Sequence, residues 1–445
     1  MTTTTTRTMP AVAPTRVPDL PTVVERTLGT GLRVLVVNRP AVPLVELRLR
    51  IPFAGSGAAF QATAALLAET LFTGTADRDR LSIAMALQAL GGSLSTGVDA
   101  DRFAIGGSAL AINLEPFLGI LAEVLRGAAY PSSEVAGERA RLVDSTAVSR
   151  SQPTVVAREA LLGRLYGDHP YASDVPLDGR LAEVTETELR TLHASRVSPE
   201  GAILTLVGAV DPEAALDAVE AALGGWTGSP SPSLPPVPAY RTGPIVIVDR
   251  PGAVQTNIRL GGPALNRDSP EYPAQRLATT IFGGYFSSRL VSNIREDKGY
   301  SYSPRAAVEH LDVVSQVTVA VDVATDVTAP ALLEVMYEQG RIATRAVSQD
   351  ELDAARQYAA GTLALSTATS AGLASTLSSL AGAGIGIEYL RDHPAALATV
   401  TIDEVLGVAA SVLAPSRLTT VLLGDASVIS SSVSTLGALE KSTPV

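Results

Sequence analysis

The chain has 445 residues, 46% of them hydrophobic and 18% charged, with 34 Lys plus Arg against 45 Asp plus Glu and a net charge of −11. Such a length exceeds one ordinary core, so two or more domains are expected, and the acidic balance argues against nucleic acid as a main partner. With no cysteine in the sequence, disulfides, thiolate metal sites and cysteine nucleophiles are excluded.

Residues 1–22 are rich in Thr and Pro without periodicity and read as a disordered lead-in. They lack the apolar core of a signal peptide, and no later run approaches the ~20 apolar residues that span a bilayer. A cytoplasmic location is therefore the expectation. Order begins at residues 32–37, bounded by Gly31 and Pro40, followed by the period-two strand 45–51 and the turn Gly55-Ser56-Gly57. A small-residue helix over 58–72 then runs into Leu71-Phe72-Thr73-Gly74-Thr75.

A strand over 102–109, a helix capped by Asn113 and a helix over 134–149 containing Glu138-Arg139 come next. His169, followed by Pro170, sits in a turn and reads as a structural loop residue. Thr185 and Glu188 form a capping box before a helix, and an apolar strand covers 203–207. The same pattern returns later with a constant offset of 216: Thr185, Glu188, Pro199 and Gly208 reappear as Thr401, Glu404, Pro415 and Gly424. A constant offset marks an internal repeat. The first copy spans 23–225 and the second 244–430, joined by a Pro/Ser-rich linker over 226–243, with a tail over 431–445.

The second copy opens with strand 245–248 and the turn Asp249-Arg250-Pro251-Gly252, and a helix carries 273–282. An alternating strand occupies 317–321, and Ser348 with Glu351 caps a long Ala-rich helix running towards Leu380. Between them lies the most informative stretch, residues 283–304, GGYFSSRLVSNIREDKGYSYSP. Gly283 and Gly284 permit backbone that a Cβ forbids, Ser287 and Ser288 suit a helix cap, and Gly299 suits a helix end. Leu290 and Ile294 share a helical face with Arg289 beside it. Read alone, Arg289 and Tyr302 are either a packed structural pair or a carbonyl-orienting guanidinium with an oxyanion-donating phenol. Mixed strands and helices in both copies argue for an α+β fold.

This stretch closely resembles the signature of the C-terminal half-domain of pitrilysin-type (inverzincin, M16, within it M16B) metallopeptidases. There a glycine turn, Ser-Ser-Arg-Leu, a charged helix end and Gly-x-x-Tyr-Ser follow one another. The resemblance extends over residues 25–430. It implies two homologous half-domains of largely antiparallel sheet covered by helices (LuxS/M16 peptidase-like), forming half of a clamshell around a peptide.

Arg289 and Tyr302 fall where the family's substrate-contacting Arg/Tyr pair falls, with Gly283 and Gly284 at the cavity edge, although turn geometry alone also explains the glycines. Active members carry His-x-x-Glu-His before Met-Leu-Phe-x-Gly-Thr, two histidines holding zinc and the glutamate activating water. Counting back from Gly74-Thr75 puts those positions at Ala65, Ala68 and Glu69, and the third ligand position, after a Glu-Arg pair, at Ser145. Glu69 alone reads as a polar helix residue.

The resemblance thus implies the zinc-less subunit of a heterodimeric peptidase. It would hold no cofactor itself, pair with a homologous zinc-bearing subunit, and act on leader or unfolded peptides. A non-enzymatic scaffold and a peptide-binding homologue are the alternatives.

Overall fold

The computed structural model describes residues 20–442. Nearly all of the lead-in expected over 1–22, and the last three residues of the tail, lie outside the described residues. The first half runs β1 (Val23–Thr27), β2 (Arg33–Asn38), β3 (Leu44–Pro52), α1 (Ala58–Thr70), α2 (Arg80–Ala89), β4 (Ser93–Val98) and β5 (Arg102–Leu110). It continues with α3 (Leu114–Gly127), α4 (Ser132–Ser151), α5 (Pro153–Tyr166), α6 (Asp178–Glu183), α7 (Glu186–Arg196), β6 (Ile203–Gly208) and α8 (Pro212–Leu223).

The second half runs β7 (Ile245–Asp249), β8 (Gln255–Ala264), α9 (Tyr272–Thr279), β9 (Arg305–His310), β10 (Ser315–Ala324), α10 (Thr328–Thr344) and α11 (Gln349–Ser366). It closes with α12 (Ser370–Gly382), α13 (Tyr389–Thr399), α14 (Ile402–Val412), β11 (Thr419–Gly424), α15 (Ala426–Val433) and β12 (Leu439–Ser442).

Each half builds one six-stranded sheet, β1-β2-β6-β3-β5-β4 and β12-β7-β11-β8-β10-β9. Pairing is antiparallel except between β2 and β6, β7 and β11, and β7 and β12. The fold is therefore α+β with two largely antiparallel sheets under helices, as the mixed element pattern predicts. The repeat is visible in five strands of each sheet, β2-β6-β3-β5-β4 matching β7-β11-β8-β10-β9, with β6 and β11 both preceded by the expected capping boxes on α7 and α14, while the edge strands β1 and β12 differ in origin and direction. The alternating burial of β3 follows its period-two sequence.

The helix expected to run from Ser348 towards Leu380 is broken. Its capping box at Ser348 and Glu351 forms, but α11 ends at Ser366 and α12 starts anew at Ser370. The break is local chemistry: Thr369 caps α12 by accepting from the Gly372 amide at 3.0 Å, and a Cβ on Gly372 would lie 2.1 Å from the Ser366 carbonyl. Arg39 from the other half accompanies the break, donating to the Thr367 and Ala368 carbonyls. Asn113 precedes α3 without capping it; its amide donates to Leu90 O instead.

The break matters because α12 leaves its own half. It packs on β3 and β6 of the first sheet, burying Leu373, Ala374, Leu377 and Leu380 against Val37 and Val207. In return α5 packs on β8 and β11, burying Leu161, Leu162 and Leu165 against Val246, Val248, Val421 and Leu423. The repeat offset of 216 carries Pro153–Tyr166 onto residues 369–382, so the two exchanged helices are equivalent members of the two copies. Arg158 reinforces the exchange with a bidentate pair to Glu309, both bonds 3.0 Å.

Trp226, expected at the start of the linker, is buried in the first core, its indole donating to Val197 O. The rest of the linker has no helix or strand but lies docked: His169 bonds Pro235 O at 3.0 Å and Tyr240 donates to Gly261 O. His169 is thus a buried structural residue, as its turn context predicts. At the other end, the residues read as a tail contribute the end of α15 and the edge strand β12, whose backbone finds partners on β7. Among the described residues no single helix is long and apolar enough to cross a membrane.

Candidate functional site

The helices on which a zinc site would be built, α1 and α4, pack against each other. Ala65 is half-buried, Ala68 buried and Glu69 exposed on α1; Ser145 is exposed on α4, its hydroxyl donating to Leu142 O at 3.1 Å. Two methyls, a hydroxyl engaged with its own helix and one solvated carboxylate do not make the three-ligand donor set that zinc requires. The four histidines sit elsewhere: His193 bonds Tyr130 and Leu125 O, His310 bonds Tyr272 and Ser315, and His393 stacks on Tyr389. His169 is the linker anchor described above. Among the described residues there is no group of three or more His, Asp or Glu able to hold a metal. Zinc therefore does not fit this chain's own residues. The Leu71–Thr75 anchor does form, with Thr75 Oγ1 accepting from the Arg78 amide and donating to Glu123.

In the second half the signature stretch is shaped by two π-helical segments, Thr280–Gly284 and Val291–Asp297. A π turn inserts an extra residue and is found disproportionately at functional sites. Gly283 and Gly284 lie in the first segment, and neither has a left-handed φ. What Gly283 supplies is closeness, since a Cβ there would meet Ala306 Cβ and Leu290 Cδ1 at 2.8 Å. Gly283 thus serves packing between helix and β9, whereas a Cβ on Gly284 would first meet the Thr279 carbonyl of its own helix, at 3.2 Å. Ser288 does not cap the helix; its buried hydroxyl has no hydrogen-bond partner. Gly299 does end it, at φ 65°, and lets the chain reverse.

That reversal decides which arginine meets Tyr302. The phenol is 81% exposed and its ring lies under the Arg295 guanidinium, 4.7 Å from carbon to centroid. Phe286, also exposed, stacks on the same guanidinium at 4.9 Å. Arg289, expected as the partner of Tyr302, is instead buried: its Nε and Nη2 fork onto Glu351 at 2.6 and 3.0 Å. Leu290 and Ile294, on one face as predicted, are fully buried beside it.

Glu351 thus closes the α11 capping box through Ser348 and fixes Arg289 with the same carboxylate. Burial works to raise its pKa, but the hydrogen bonds from Arg289, with help from Ser348, outweigh burial and hold it at about 2. A depressed folded-state pKa contributes stability above the unfolded value, near 4.5, that is lost as pH falls towards the folded value. Wild-type stability should accordingly drop between about pH 4.5 and 2 by more than that of Glu351→Gln. Urea midpoints across that window measure the difference, and parallel curves would deny the clamp.

Arg295 and Glu351 are the residues that sequence reading missed. Arg295 was in view seven positions before Tyr302, but helical spacing cannot place a residue beyond a left-handed glycine onto the preceding helix. The sequence around Glu351 announces only a cap, because its second partner is 62 residues away.

Residues 183–358 match a family model described as "Peptidase M16 inactive domain". An uncharacterized zinc protease of Mycobacterium leprae is 28% identical over 291 residues, 64% of this chain and 65% of that protein. The chain thus matches less than two thirds of that relative's length. Among solved structures, a peptidase M16 inactive domain from Pseudomonas fluorescens superposes with a TM-score of 0.80 at 24% identity, over 91% of this chain and 98% of that one. A protease from Helicobacter pylori gives 0.82 at 17% identity, over 91% and 100%. At those identities the structures speak for the fold alone.

Proposed function

We propose that this chain, whose residues 183–358 match the peptidase M16 inactive-domain model and which is similar to a zinc protease, is the non-zinc-binding subunit of a heterodimeric M16 metallopeptidase. The observation that carries this reading is the α1–α4 pair, packed together yet bearing Ala65, Glu69 and Ser145 where a metal-binding member would carry its ligands and Ala68 where it would carry its general base. A homologous subunit with His-x-x-Glu-His would supply zinc and general base. This chain would contribute Tyr302, whose hydroxyl donates to the developing oxyanion, and Arg295, whose guanidinium holds the phenol ring and orients a substrate carbonyl. Arg289 enters the reading as the residue that locks the signature helix to α11 through Glu351. Gly283 allows the preceding π segment its close approach to β9. Substrates are peptides, among them leader or unfolded peptides, enclosed between the two subunits in the cytoplasm.

A peptidase assay on the isolated chain, on a homologous His-x-x-Glu-His subunit, and on their mixture tests the proposal. Activity confined to the mixture is the expected result. A partner that is fully active alone and unaffected by mixing would leave the scaffold and the peptide-binding homologue as the readings to pursue.

A further inference from the structure

The exposed aromatic rings among the described residues are Phe286, Tyr302, Tyr337 and Tyr358, all in the second half. Phe286 is 65% exposed, and the Arg295 guanidinium that lies over Tyr302 lies over its ring as well. Each ring is thus steadied by a cation while most of its surface still faces water. Arg295 Nε meets Glu296 at 3.2 Å, whereas Nη1 and Nη2 have no hydrogen-bond partner among the described residues. Free N–H donors beside two aromatic faces offer a carbonyl and an apolar side chain a place each.

The apolar surface continues onto α11. Tyr285, next in the chain to Phe286, packs its ring on that of Tyr358, with 5.2 Å between centroids. From Tyr358 one helical face runs through Gly361 to Leu365, which is 74% exposed. A Cβ on Gly361 would meet nothing within 4 Å, so close packing does not require the glycine and a notch lies open between the two apolar side chains. A glycine inside a helix weakens it relative to almost any other residue. Charge is absent as well: no Asp, Glu, Lys, Arg or His occurs between residues 357 and 387, in a chain that is 18% charged.

We propose that the surface from Phe286 and Tyr302 along α11 to Leu365 binds an extended, uncharged peptide segment by its apolar side chains, and so selects apolar over basic substrates. The proposal rests on the reading of Tyr302 and Arg295 as peptide-contacting residues and names the class of peptide they receive. One peptide carbonyl accepts from an Arg295 Nη group, a neighbouring apolar side chain packs on the open surface of Phe286, and a further one enters the notch at Gly361. At 1.5 Å per residue, Tyr358 to Leu365 covers about 10 Å of helix, the reach of about three extended residues. A basic segment finds no carboxylate between residues 357 and 387 to pair with, and laying its ammonium groups against tyrosine and leucine is unfavourable. Apolar segments are buried in folded proteins and open in unfolded ones, so such a surface also discriminates by folding state.

Fluorescence polarisation on the isolated full chain tests this without reading turnover. The probes are fluorescein-labelled Ser-Ala-Leu-Phe-Ala-Ser-Leu-Ala-Ser, the same peptide with both Leu and the Phe replaced by Ser, and the same peptide with those residues replaced by Lys. The apolar probe should bind more tightly than either of the others by about 10-fold or more. Phe286→Ser, which removes an exposed ring, should weaken its binding about 5-fold. Gly361→Leu should weaken it about 10-fold while raising Tm, because leucine fills the notch yet suits a helix better than glycine. A position serving the fold alone would not move binding and stability in opposite directions. Equal affinity for the three probes, tightest binding of the lysine probe, or unchanged affinity in Gly361→Leu would overturn the proposal. So would binding of no probe at all, the result expected if a partner subunit covers this face. An inactive mixture of subunits would leave binding by the isolated chain in place, and loss of peptide selection would leave an active mixture active, so the two failures are distinguishable.

Discussion

Tyr302→Phe should lower turnover of the assembled peptidase by about 10²–10³ while leaving assembly and thermal stability unchanged. The substitution removes one oxygen only. The ring that lies under Arg295 remains, and the phenol hydroxyl has no hydrogen-bond partner among the described residues whose loss could destabilise the chain. A structural tyrosine would behave otherwise, losing stability or nothing at all. Steady-state kinetics on the purified heterodimer separate the cases, and the loss should fall on kcat and kcat/KM alike because a transition-state contact is removed. Wild-type turnover in the variant would end the assignment of Tyr302 as an oxyanion donor.

The second large effect lies far from that residue. Leu161→Ala and Leu377→Ala should each destabilise the protein by about 2–5 kcal/mol, the cost of emptying a buried leucine site. More telling is what melts. Leu161 sits on a first-half helix against the second sheet, and Leu377 on a second-half helix against the first sheet. Both variants should therefore lower one shared calorimetric transition. Two transitions, with each variant moving just one, would show that the halves fold independently despite the exchange.

Much of this architecture could be read from residue order. The central strands, three capping boxes, the repeat and its offset follow from period-two alternation and from Thr or Ser three residues before Glu. What could not be read involves long-range choice. The path of α12 across the molecule depends on a break that Thr369 and Gly372 announce only weakly, and on apolar surface 170 residues away. At the signature stretch the motif singles out Tyr302 and Arg289, whereas in the fold Tyr302 stacks on Arg295 and Arg289 lies on Glu351. Arg289 and Arg295 differ little as letters. Their roles diverge because the π turns and Gly299 put one beneath the surface on Glu351 and the other beside an exposed phenol.

The helix exchange also sets a schedule for synthesis. The first sheet is complete once residue 208 has been made, yet the helix that covers Val37 and Val207 ends at residue 382. At about 5–20 residues per second that face stays bare for on the order of 10–35 s on the ribosome. During that interval the nascent chain carries an apolar sheet with no cover of its own, a surface that invites chaperones or its neighbours on the same message. A fragment released before residue 370 would keep that surface permanently.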